Sequence, residues 1–181
     1  MPSLFLAVSR PRWLVALAAI VLVPGAAMLP AMATMSDHGA SLFSFEMAGS
    51  VARSQEIVTE WGSAGKAAMW WQLALDIPFL AGYGLFLAGA CAAVWRQAET
   101  AGMPRLRKAA SVAVWLGPVA AGADLLQNIG LAAVLAGAEG QPWPRVSEVG
   151  GRITTPLMAA AAIFAIAGAL ATRRQVGPQV S

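Results

Sequence analysis

Two carboxylic acids stand alone in long apolar runs. Between Lys66 and Arg96 the only charged residue is Asp76, and between Lys108 and Glu139 it is Asp124. A charge at membrane depth is costly and normally faces a bundle interior or a wet cavity. The neighbours of these acids repeat at helical spacing. Gln72, Asp76, Phe79 and Tyr83 share one helical face, and so do Asp124, Gln127, Asn128 and Leu131. Counting about 1.5 Å of rise per residue from the outer ends puts Asp76 at roughly 8–14 Å depth, Asn128 at about 12 Å and Asp124 at about 18 Å. A polar cluster of Gln72, Asp76, Tyr83, Asp124, Gln127 and Asn128 in the outer half of a bundle follows.

Three uses fit that cluster. The acids can tie helices together by hydrogen bonds, bind a proton or cation in a water-filled vestibule, or act as an acid–base pair on a small lipophilic substrate. No Lys, Arg or His lies within the apolar runs, so partners must come from the outer mouth, where Glu46, Arg53 and Arg152 stand. A structural or accessory bundle is the first expectation, because polar interhelical pairs contribute only about 0.6 kcal/mol each and are routine. The alternatives are a small-molecule or proton-coupled ion carrier, and a membrane enzyme using Asp76 and Asp124. A dry interface would favour the first and a deep hydrated pocket the other two.

The elements that hold these residues are marked by the charges. Of the 181 residues, 58% are hydrophobic and 12% charged, about half the charge of an ordinary soluble domain. This excludes a disordered chain or a nucleic-acid-binding domain and argues against a soluble globule. Four nearly uncharged stretches are long enough to cross about 30 Å of hydrocarbon: 13–35, 67–95, 109–136 and 153–172. They must be helices, since lone strands would leave backbone groups unpaired in lipid. The expected fold is all-α, one domain over 1–181: a four-helix transmembrane bundle with an outer amphipathic helix between the first and second spans. That helix is placed at 43–61, with Phe43, Met47, Val51, Ser54, Val58 and Trp61 on one stripe and Gly62 as its stop.

Arg10, Arg12, Arg96, Arg105, Arg107, Lys108, Arg173 and Arg174, eight of the twelve basic residues, fall on the side of the termini. The positive-inside rule then makes both termini cytoplasmic in a bacterial inner membrane. A rival reading takes Arg10 and Arg12, the apolar run and Ala31-Met32-Ala33 as a secretory signal, cleaved to leave three spans. The segments 96–108 and 137–152 are expected as loops, the first basic and the second rich in Gly and Pro. One cysteine, Cys91, and one histidine, His38, argue against a metal site of the usual N/S type. No motif calls for a cofactor. The expected partners are the lipid bilayer, a lipophilic small molecule or a cation, and a second copy through the Ala- and Gly-rich fourth span.

Phe45-Glu46-Met47-Ala48-Gly49-Ser50, Glu60-Trp61-Gly62, Leu75-Asp76, Tyr83-Gly84 and Asp124-Leu125-Leu126-Gln127-Asn128 together resemble a pattern of small four-span bacterial membrane proteins of uncharacterised function. The resemblance covers roughly 43–130. It implies the topology and brings no activity. Similar chains are expected to have Glu in place of Gln127, so this chain has lost a charge there.

Overall fold

A computed structural model describes residues 1–176. All their regular structure is helical: α1 (Ser3–Val8), α2 (Pro11–Asp37), α3 (Leu42–Glu46), α4 (Val51–Thr100), α5 (Pro104–Ala113), α6 (Leu116–Leu135) and α7 (Pro142–Val176). Among the described residues four helical stretches are long and apolar enough to cross a membrane: Pro11–Asp37, Val51–Thr100, Pro104–Leu135 and Pro142–Gln175. The chain is thus a helical bundle of the integral-membrane type.

The core is formed by α4, α6 and α7. The α2 helix lies along α4, and its backbone approaches neither α6 nor α7. Its buried positions, Leu17, Pro24, Met28, Ala31 and Met35, follow one stripe, whereas Val15, Leu22, Val23 and Leu29 are exposed. Small residues let the core backbones approach. A Cβ added at Gly117 of α6 would lie 2.5 Å from the Gly84 carbonyl oxygen of α4. One added at Gly150 of α7 would lie 2.8 Å from the Ala123 carbonyl oxygen of α6.

The cap departs from the single helix expected over 43–61. The α3 helix ends at Glu46, Gly49 turns the chain with φ 65, and a new helix starts at Val51. Ser41 and Ser50 cap the two starts by accepting from the backbone N–H of Ser44 and Arg53. The turn resets the helical phase, so Phe43 is 68% exposed whereas Phe45 is buried. From Ser54 to Trp61 the stripe faces protein: Ser54, Ile57, Val58 and Trp61 are buried. The Trp61 indole N–H donates to the carbonyl of Ala40 at 2.6 Å, and its ring meets Phe45 edge-on at 4.9 Å.

The 50 residues of α4 would run about 75 Å if straight, far beyond a bilayer core. Gly62, at φ 58 and ψ −155, breaks it into a cap segment and a span. That backbone region is accessible in practice only to glycine.

Four further differences concern helix ends and starts. The segment 137–152 is helical from Pro142 onward, because proline is tolerated in a first helical turn, where the N–H has no partner to lose. The segment 96–108 is helix up to Thr100 and again from Pro104. The α5–α6 boundary falls at Val114 and Trp115, where Pro118 supplies no N–H for the Val114 carbonyl. The N-terminal α1 helix has no counterpart in the sequence reading; its Phe5 is buried and stacks edge-on against Trp115 at 5.0 Å.

Candidate functional site

Two apolar clusters fill the core at different heights. One gathers Met35, Phe45, Ile57, Trp61, Met69, Leu73 and Leu131 beneath the cap. The other gathers Leu80, Tyr83, Leu87, Cys91, Val114 and Ala161. Asp76 lies in sequence between Leu73 and Leu80, and Asp124 between Ala120 and Leu131, so the polar residues form a layer between the clusters. Within that layer is a cavity of about 220 Å³, walled by α3, α4, α6 and α7.

The cavity brings together Gln72 and Asp76 of α4, Asp124, Gln127 and Asn128 of α6, Thr154 and Thr155 of α7, and Glu46 of α3. Leu42, Phe43, Met47, Met69, Leu73, Phe79 and Leu131 supply its apolar wall. It is partly open, and Phe43 and Thr155, both exposed, stand on its lining. The residues that sequence spacing put on two helical faces do meet across the α4–α6 interface. Asn128 Nδ2 donates to Asp76 Oδ2 at 2.5 Å, and the Tyr83 hydroxyl donates to Asp124 Oδ2 at 2.9 Å. Among the described residues neither Oδ1 is bonded. Gln72 is 7% exposed, and its Oε1 is buried with no partner. A buried acceptor left unmade costs about 1–3 kcal/mol.

The outer-mouth partners divide. Glu46 enters the cavity. Burial, with Asp124 and Asp76 adding repulsion, pushes its pKa from 4.5 up to about 7. Arg53 and Arg152 do not neutralise the acids. Arg53 bonds Glu56 at 2.6 Å on the exposed cap, and Arg152 bonds Glu148 at 2.5 Å. The cavity lining therefore holds three carboxyl groups and no basic residue. Glu46 belongs to the site although it lies outside every apolar run. The Gly49 turn places it there, and Gly49 in the quoted pattern is the one sequence signal for that turn. Thr154 and Thr155 were visible only as polar residues at the start of an otherwise apolar helix; Thr154 donates to the Ala120 carbonyl at 3.3 Å.

The chemistry of this lining is acceptor-rich. Carboxylates accept only, and the side-chain donors that reach them are one N–H of the Asn128 amide and the Tyr83 hydroxyl. Among the described residues no three His, Cys, Asp or Glu side chains converge closely enough to hold one metal ion. The acids are instead dispersed around a volume several times the ~30 Å³ share of one water and below the ~300–1,000 Å³ of drug-sized sites. In comparison with known proteins, the chain matches no family model, no curated protein and no solved structure.

Proposed function

We propose that this integral membrane protein binds a small organic cation bearing N–H donors, such as an ammonium or guanidinium group, in the cavity between α3, α4, α6 and α7. The observation behind this reading is the lining itself: three carboxyl groups, an unpaired buried Gln72 Oε1 and no basic side chain. A bound cation would replace the charge partner the acids lack, and its N–H groups would satisfy Gln72 and both free Oδ1 atoms. Glu46 would release its proton as the cation enters, which suits the binding step of a proton-coupled carrier. The membrane is taken to be a bacterial inner membrane with both termini inside, on the distribution of the basic residues.

A second reading is favoured by the Asp76–Asn128 and Asp124–Tyr83 hydrogen bonds. They suit a structural bundle in which the acids only join α4 to α6. Calorimetric titration of the purified chain separates the two. Guanidinium is expected to bind saturably and tetramethylammonium, which has no N–H, is not. Asp76→Asn and Asp124→Asn are expected to fold and to bind weakly. Equal response to both cations, or wild-type binding by both variants, would leave the structural reading standing.

A further inference from the structure

The opposite end of the molecule has a second and larger cavity, of about 740 Å³. It lies in the groove left where α2 and α7 both border α4 without their backbones meeting. Leu14, Val15 and Ala93 form its apolar wall, and Arg96 and Arg173 stand at its polar end. This end is held in place. The Thr172 hydroxyl donates to Gln97 Oε1 at 2.7 Å, fixing α7 to α4, and Arg96 donates to the Ser9 hydroxyl at 3.4 Å.

Some of the other charges at this end have partners. Glu99 pairs with Arg107 at 3.4 Å, and the Arg12 guanidinium lies over the Trp13 ring. Among the described residues neither Arg96 nor Arg173 pairs with a carboxylate. Two guanidinium groups without counter-ions, at the head of an apolar groove open toward lipid, present the charge and shape of a site for one amphiphile. Guanidinium binds phosphate through paired N–H donors, and basic pockets between membrane helices at the cytoplasmic side are suited to anionic headgroups.

We infer that this groove holds an anionic phospholipid, its phosphate on Arg96 and Arg173 and an acyl chain along Leu14, Val15 and Ala93. The lipid fills the gap between α2 and α7 and thereby fastens α2, which among the spanning helices borders α4 alone, to the rest of the bundle. The headgroup is read by charge and the chain by the apolar wall, so neither free phosphate nor a zwitterionic lipid reproduces the effect.

The test is thermal unfolding of the delipidated full chain, titrated with phosphatidylglycerol, with phosphatidylcholine of the same chain length, and with inorganic phosphate. Phosphatidylglycerol is expected to raise Tm saturably, and the other two are not. Each arginine near an anionic lipid contributes about fivefold, so R96Q/R173Q is expected to bind phosphatidylglycerol about thirtyfold more weakly. R105Q/K108Q loses the same net charge away from the groove and is expected to bind as wild type. Val15, 71% exposed, tolerates Val15→Trp, which obstructs the wall and weakens binding; this variant carries the test if R96Q/R173Q does not fold. An equal Tm rise with phosphatidylcholine, a full rise with phosphate alone, an equal loss in R105Q/K108Q, or unchanged affinity in Val15→Trp would overturn the proposal.

Discussion

Gln72 is the side chain whose behaviour separates a binding site from a joint between helices. Its Oε1 is buried with no partner among the described residues, so the protein's own side chains leave that cost unmet and a bound N–H donor would remove it. Gln72→Leu is therefore expected to raise apo stability by about 1 kcal/mol, from the lost desolvation penalty, while weakening cation binding. Unfolding and titration of the same variant check both halves; a destabilised variant would place a hidden partner at Oε1. Glu46 gives a second prediction. Its pKa is higher folded than unfolded, so the folded state holds the proton more tightly. Its contribution is fully present below pH 4.5 and is lost as pH rises to about 7. Chemical unfolding from pH 4 to 8 is expected to show that fall in the wild type and a flatter profile in Glu46→Gln. Asp76, Asp124 and Asn128 were legible in the sequence because a polar group in an apolar run is informative wherever it falls. Glu46 was legible only as one of three outer-mouth candidates beside Arg53 and Arg152, since nothing in a polar segment marks which of them turns inward.

At the scale of elements, helix existence was easier to read than helix interruption. Charges punctuate the apolar runs, which fixes the spans, and the Ser54–Val58–Trp61 stripe follows from helical periodicity. Periodicity says nothing about where its own phase is lost. The Gly49 turn breaks the stripe, moves Phe43 outward and brings Phe45 in. The Gly- and Pro-rich composition of 137–152 suggests a loop, yet Pro142 starts a helix, because proline suits a first helical turn. Gly62, expected as a stop, does end the cap segment: its non-helical backbone breaks α4 there and lets the cap bend away from the span. Gly62→Ala meets no neighbouring atom, so its cost is purely conformational, about 1–3 kcal/mol. Equilibrium unfolding of that variant checks the figure, and an unchanged stability would mean the break is not required.

Taken whole, the molecule has opposite chemistry at its two ends: acceptors and carboxyl groups beneath the cap, guanidinium groups at the termini, and two apolar clusters on either side of the polar layer. Four spans and a helical bundle could be read from the spacing of the charges and the length of the apolar runs between them. The cavity could not, because a void depends on how the α3 turn and the α4–α6–α7 contacts meet, and no residue pattern encodes that directly. The measurement that tests the account most directly is calorimetric titration with guanidinium at pH 6 in two buffers of different ionisation enthalpy. Saturable binding with net proton release is expected in the wild type, with affinity rising with pH up to about 7, and the release is expected to disappear in Glu46→Gln. Absence of saturable binding, or binding unaltered in Asp76→Asn/Asp124→Asn, would contradict the claim that this cavity is a cation site.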